Sequence, residues 1–70
     1  MGQVIDIQVE GIKKRVHRSE YTFAKWRQLK EFGYESLTLE EVERQLDAIY
    51  AKKKLTVIGM MMKDDFVFEN

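Results

Sequence analysis

The chain has 70 residues, a length that allows one small domain over residues 1–70 with a thin margin of stability. Its 44% hydrophobic and 34% charged residues are typical of a folded globular chain rather than a disordered one. It has no cysteine, which excludes disulfides and thiolate chemistry and favours a reducing, cytoplasmic compartment. The sequence shows neither a signal-peptide layout nor an apolar run of membrane-spanning length, so we expect no membrane partner.

Charges of opposite sign are unevenly distributed, although the formal net charge is zero. Residues 1–30 contain seven basic and three acidic residues, whereas residues 31–70 contain five basic and nine acidic ones. Such asymmetry marks a basic binding face, supports head-to-tail association, or has no functional meaning. A small core without disulfides also favours burial of further apolar surface against a second copy of the chain, so we expect a homo-oligomer, with a dimer favoured.

An alternating pattern predicts a β-hairpin at the start of the chain. Ile5, Ile7 and Val9 share one face of a strand that runs from Gln3 to Val9. Glu10-Gly11 then suits a two-residue turn. The facing pairs would be Val9 with Ile12, Ile7 with Lys14, and Ile5 with Val16.

Two helices are predicted after the hairpin. Ser19 suits the N-cap of the first helix, which should run to about Phe32, with Gly33 just past its end. The second helix should begin after Thr38, because Thr38 and Glu41 have the spacing of a capping box. The residues expected to form the core between the helices and the sheet are Trp26, Leu29, Val42, Leu46 and Ile49.

A continuous apolar run over residues 55–62, with β-branched residues near its start, predicts a strand that is covered on both faces. Residues 63–65 would turn, and residues 66–68 would return as a short strand. We therefore predict an α+β fold, in which the N-terminal β-hairpin and the C-terminal strand or strands form a small antiparallel sheet packed by a two-helix hairpin. A Met-rich edge strand would invite pairing with a second chain, which makes the predicted oligomer contact Ile58, Met60, Met61 and Met62.

The sequence offers little that could support catalysis. Its single histidine, His17, lies between basic residues and has no orienting partner in a recognisable spacing. The acidic residues gather on one polar helix face, and the glycines are too scattered to form a phosphate-binding loop. We therefore predict no catalytic, cofactor-binding or metal-binding residues and a protein that is not an enzyme.

Nucleic-acid binding remains open as the alternative function. A helix-turn-helix arrangement is disfavoured, because the exposed face of the second helix is rich in glutamate and would repel phosphates. The basic first half is a better candidate, since cations interleaved with aromatic residues suit single-stranded nucleic acid. The residues of this candidate surface are Lys13, Arg15, His17, Lys25, Arg27 and Lys30.

The segment over residues 33–46, Gly-Tyr-Glu-Ser-Leu-Thr-Leu-Glu-Glu-Val-Glu-Arg-Gln-Leu, resembles segments of small uncharacterised accessory proteins from phages and prophages of Gram-positive bacteria. The resemblance implies a cytoplasmic accessory protein that acts by binding and carries no catalytic residues. Together with the missing site chemistry, it favours a non-catalytic adaptor or modulator that binds a protein partner.

Overall fold

The computed structural model describes residues 3–67, which form a two-stranded antiparallel sheet followed by three helices. The elements are β1 (Val4–Val9), β2 (Ile12–His17), α1 (Arg18–Glu31), α2 (Leu39–Ala51) and α3 (Val57–Lys63). One face of β1 packs on the helices, and the core contains Ile5, Ile7, Tyr21, Leu29, Val42, Leu46, Ile49, Ile58, Met62 and Phe66. None of the helices described is long and apolar enough to cross a membrane.

The register of the hairpin confirms the predicted pairs. As predicted, Val9 faces Ile12, Ile7 faces Lys14 and Ile5 faces Val16. Glu10 and Gly11 have φ angles of 52° and 82°, which is the left-handed geometry that a two-residue turn between twisted strands requires. The inner face is only partly buried, however, because Ile12 remains 70% exposed beyond the core.

The end of α1 follows the prediction, but its start does not. Gly33 has a φ of 125°, and its N–H and that of Tyr34 donate to the carbonyls of Lys30 and Leu29, which is the Schellman arrangement. The N-cap is His17, which makes no side-chain capping bond. The prediction of Ser19 as N-cap is wrong, because the chain enters the helix directly from β2.

The start of α2 is fixed by one arm of the predicted capping box. The Thr38 Oγ1 atom accepts a hydrogen bond from the Glu41 backbone N–H at 3.1 Å. The Glu41 carboxylate does not return to Thr38 and instead accepts from Arg44 and Gln45 at 2.7 Å and 3.2 Å. The hydroxyl alone therefore caps this helix.

The prediction of a C-terminal strand over residues 55–62 is wrong, and with it the predicted sheet. Residues Val57–Lys63 form α3, whose N-cap Thr56 accepts a hydrogen bond from the Gly59 N–H at 3.4 Å. Burial of Ile58, Gly59 and Met62 has helical rather than alternating spacing. The sheet therefore has two strands among the described residues, and α3 packs on α2 in place of the third strand.

The connection between α2 and α3 is held by one buried side chain. Gln45 is 5% exposed, and its Oε1 atom accepts a hydrogen bond from the Thr56 backbone N–H at 3.0 Å. Its amide nitrogen donates to Glu41 at 3.2 Å. Gln45 thereby satisfies its polar groups inside the core and fixes where α3 begins.

The segment after α3 covers the outer edge of β1. The Gln8 N–H donates to the Asp65 carbonyl at 2.8 Å, and Phe66 forms an isolated antiparallel bridge with Ile7. The predicted strand over residues 66–68 is thus reduced to a single bridge within the described residues, and Phe68 lies outside them. One edge of the small sheet is closed by the chain itself.

Two ion pairs join the basic first half of the chain to the acidic second half. Arg18 Nη2 lies 2.6 Å from Asp47 Oδ1, and Lys25 Nζ lies 2.7 Å from Asp65 Oδ2. The Lys25 and Asp65 side chains are only 14% and 29% exposed, so water screens this pair less than a surface pair. Part of the charge asymmetry in the sequence therefore contributes to tertiary structure.

Candidate functional site: the open edge of β2

The register determines which backbone groups of β2 point away from the hairpin. The Gln8 N–H donates to Asp65 and so points away from β2. Because backbone groups alternate in direction along an antiparallel strand, the residues on either side of Gln8, such as Ile7, make the hydrogen bonds to β2. The residues of β2 that face them, such as Lys14 opposite Ile7, direct their N–H and C=O groups toward β1. Lys13 and Arg15, which lie between these partners, therefore direct their backbone groups outward.

These outward groups have no partner within residues 3–67. No backbone or side-chain hydrogen bond reaches the N–H or C=O of Lys13 or Arg15 from any other element. The opposite edge of the sheet, along β1, is covered by Asp65 and Phe66. The described sheet thus has one closed edge and one open edge, and the open edge is a template for a further strand.

The side chains along the open edge fall into two sets. Lys13, Arg15 and His17 project to the outer face, away from the core. Ile12, Lys14 and Val16 project to the inner face, where only Val16 packs against the core. The edge therefore carries cations on both faces and exposed apolar surface at its inner side.

The three outer-face residues belong to the predicted nucleic-acid surface, and they differ in their surroundings. Lys13 makes no ion pair with the described residues. Arg15 Nε lies 3.0 Å from Asp6 Oδ1, and this hydrogen bond raises the pKa of Arg15 above its ordinary value. His17 is the N-cap of α1.

The other three residues of that predicted surface lie on α1 and do not join the first three. Lys25 is paired with Asp65, whereas Arg27 and Lys30 lie over the rings of Phe23 and Trp26, at 5.9 Å and 4.6 Å from the centroids. No hydrogen bond, ion pair or ring contact connects this set with β2 within residues 3–67. The six residues therefore divide between β2 and α1, and no bonded interaction joins the two sets within residues 3–67.

The residues of the predicted oligomer contact lie on α3. Ile58 and Met62 are buried in the core, at 8% and 0% exposure. Met61 is partly buried and packs against the core, and its Sδ atom accepts a weak hydrogen bond from the Tyr34 hydroxyl at 3.6 Å. Met60 is 63% exposed. An oligomer contact at α3 would therefore use Met60 rather than the whole set.

The described residues contain no group of three or more histidine, cysteine, aspartate or glutamate side chains that could hold a metal ion. A polar cluster of low exposure joins the Tyr21 hydroxyl and Lys25 Nζ to Asp65 Oδ2, each at 2.7 Å. Burial, and then the hydrogen bond to Asp65, raise the pKa of Tyr21 well above its ordinary value. This neutral tyrosine suits a structural hydrogen bond better than proton transfer.

Comparison with known proteins adds no functional assignment. No family model, curated protein or solved structure matches this chain. The chemistry of the molecular surface, above all along β2, is therefore the basis for assigning a function.

The sequence patterns predict which residues of β2 lie on the inner face, but they do not show that Ile12 is exposed there. The alternation predicts Ile12 on the apolar inner face of the hairpin and leaves Lys14 as the exception on that face. The sign of an open edge is Lys14, which the register places between Ile12 and Val16 on the inner face. A charged residue at such a position is typical of an edge strand rather than of a strand buried in a core. What the sequence could not indicate is that the covering segment reaches β1 and leaves β2 open.

Proposed function

We propose that this chain is a non-catalytic protein-binding module that takes up an extended segment of another protein along β2. The observation that carries this proposal concerns the outward backbone groups of Lys13 and Arg15, which have no partner within residues 3–67, whereas the β1 edge is already covered. In this mode of recognition, main-chain hydrogen bonds supply affinity and the alternating side chains supply specificity.

Charge indicates what kind of strand would be accepted. Lys13 and Lys14 make no ion pair within residues 3–67, and Arg15 is exposed although it contacts Asp6. Opposite charges facing each other across two strands are stabilising, whereas like charges are destabilising. An acidic segment is therefore favoured over a neutral or basic one.

The same charges disfavour a second copy of this chain at this edge. Two β2 strands paired edge to edge would bring their basic clusters at Lys13, Lys14 and Arg15 together. Such charges are a common protection of edge strands against self-association. A homodimer would use another surface, for which the exposed Met60 and Val57 of α3 are the candidates.

Nucleic acid is the alternative occupant, and it has a weaker basis. Arg27 and Lys30 lie beside the partly exposed aromatic rings of Phe23 and Trp26, an arrangement that suits stacked bases. Lys25, however, is paired with Asp65, and no bonded interaction joins Arg27 or Lys30 to the basic residues of β2 within residues 3–67. Binding of a single-stranded oligonucleotide is therefore a competing outcome of the test.

The test is an NMR titration of the protein with short random peptides of glutamate and valine. We expect the backbone amides of Lys13 and Arg15 to shift and to become protected from hydrogen exchange, because they donate to the added strand. The Lys14 amide, which already belongs to the hairpin, should be protected before and after addition.

Two variants at one position separate the backbone from the side chain. Arg15→Pro removes the outward N–H without removing a bond of the hairpin, whereas Arg15→Ala removes the charge and keeps the N–H. Binding should be lost in Arg15→Pro and only weakened in Arg15→Ala, with circular dichroism and the Lys14 amide reporting intact hairpins. Equal binding by both variants would overturn the proposal, as would tighter, salt-sensitive binding of a single-stranded oligonucleotide.

A further inference from the structure

We infer that the segment bound at β2 carries three consecutive acidic residues between two apolar ones. This inference rests on the proposed function, and it adds the order of residues that the edge would select. It follows from the side chains that β2 presents to the next strand, residue by residue from Ile12 to Val16.

The apolar positions are set by the inner face. Ile12 is 70% exposed at the tip of the hairpin, and Val16 is half-buried at the other end of the edge. A residue directly opposite each of them in an added strand would lie within side-chain contact. Apolar residues at these two positions would remove the exposed surface of Ile12 from water and extend the core beyond Val16.

The acidic positions are set by the three cations between these ends. Lys13 and Arg15 face outward, and Lys14 faces inward between Ile12 and Val16. An added strand alternates its side chains in the same way, so each cation meets one residue of that strand on its own face. Glutamate or aspartate at all three positions complements the charges on both faces.

The resulting order is the same when it is read in either direction. Ile12 and Val16 are the apolar ends, and the three cations occupy the centre. A parallel and an antiparallel strand would therefore present the same five residues to β2, although their backbone bonds differ. The inferred specificity does not depend on the direction of the bound segment.

Two peptides of identical length and flanks test this order. One contains Val-Glu-Glu-Glu-Val and the other Glu-Val-Glu-Val-Glu, so that both have three glutamates and two valines, flanked by threonines and blocked at both ends. In the register that suits the first peptide, the second places valine opposite Lys13 and Arg15 and glutamate opposite Ile12 and Val16. Because four cross-strand pairs become unfavourable, we expect it to bind about tenfold more weakly in NMR titrations that follow the Lys13 and Arg15 amides.

The outcomes distinguish the inference from the function on which it rests. Equal affinities with protection of both amides would overturn the inferred order and leave strand addition in place. If neither peptide protects the amides, both the inference and the proposed function fail. Tenfold preference for the peptide with contiguous acids, accompanied by protection, would support both.

A charge exchange supplies the second test. Lys13 and Lys14 are exposed and make no ion pair within residues 3–67, so Lys13→Glu/Lys14→Glu should leave the hairpin folded. This variant should lose its preference for Val-Glu-Glu-Glu-Val and prefer Val-Lys-Lys-Lys-Val instead. An unchanged preference for the acidic peptide, with intact amide signals from Ile12 to Val16, would overturn the inference.

Discussion

The side-chain oxygen of Gln45 occupies the space that a Cβ atom on Gly59 would need. Gln45 cannot easily withdraw, because the same oxygen accepts a hydrogen bond from the Thr56 N–H at 3.0 Å. The Cβ atom of Leu55 would lie 3.0 Å from the added atom on another side. Position 59 is thus restricted to glycine by tertiary contacts rather than by its backbone angles.

We expect Gly59→Ala to lower the free energy of unfolding by about 1–3 kcal/mol, because overpacking and the loss of the Gln45 bond outweigh the better helix propensity of alanine. Urea unfolding followed by circular dichroism would measure the change. Met60→Ala, at an exposed position of the same helix, is the control and should have a small effect. A Gly59→Ala variant as stable as the wild type would contradict the assigned contact.

Asp65→Ala should loosen the segment that covers β1. The substitution removes the acceptor of the buried Tyr21 hydroxyl and leaves the largely buried Lys25 without its carboxylate. We expect a loss of about 2–3 kcal/mol in stability and faster hydrogen exchange of the Gln8 amide, which donates to the Asp65 carbonyl. Asp64→Ala, at the exposed neighbouring position, should leave exchange at Gln8 unchanged, and equal effects of the two variants would disprove the role of Asp65.

The protein should lose stability at alkaline pH, and this loss should be smaller in Tyr21→Phe. Burial and the bond to Asp65 raise the pKa of Tyr21, so the folded state keeps a proton that the unfolded state releases above about pH 10. The contribution of Tyr21 to the free energy of unfolding is therefore fully present below that pH and declines by about 1.4 kcal/mol per pH unit above it. At neutral pH, Tyr21→Phe should be less stable than the wild type by about 1 kcal/mol.

This difference between Tyr21→Phe and the wild type should narrow as the pH rises from about 10 to 11. Thermal unfolding over this range measures it, and Tyr34→Phe at a partly exposed tyrosine is the matched control. A constant difference across the range would show that Tyr21 does not titrate with unfolding.

Thr38→Ala should destabilise the protein by about 1 kcal/mol, because the Glu41 N–H loses its capping acceptor. Ser19→Ala is the informative comparison, since Ser19 lies inside α1 and the cap of that helix is His17. We expect little change for Ser19→Ala in chemical denaturation. A larger loss of stability for Ser19→Ala than for Thr38→Ala would contradict both the His17 cap of α1 and the Thr38 cap of α2.

The parts of the fold that sequence reasoning predicted correctly are those determined by neighbours along the chain. Alternation and the Glu10-Gly11 turn were sufficient for the register of the hairpin. Thr38 and Gly33 marked the start of α2 and the end of α1 through local capping geometry. Each of these signals depends on residues separated by a few positions.

The error at α3 arose because a short apolar run is compatible with either a buried strand or a buried helix. The β-branched residues Thr56, Val57 and Ile58 favoured the strand, yet Thr56 serves as a helix cap. The start of the helix is held by a contact from outside this run, the hydrogen bond that Gln45 on α2 accepts from the Thr56 N–H, eleven positions along the chain. The open edge of β2 was hidden for the same reason, because it depends on where Asp65 and Phe66 pack.

The covering of β1 by Asp65 and Phe66 has a consequence for the order of events during synthesis. The hairpin leaves the ribosome well before the segment that closes its edge, because α1, α2 and α3 lie between them in the chain. During that interval both edges of the nascent hairpin have unpaired backbone groups, and the basic residues Lys13, Lys14 and Arg15 lie on the β2 side. Closure of β1 is therefore the step that leaves β2 as the one open edge of the described sheet.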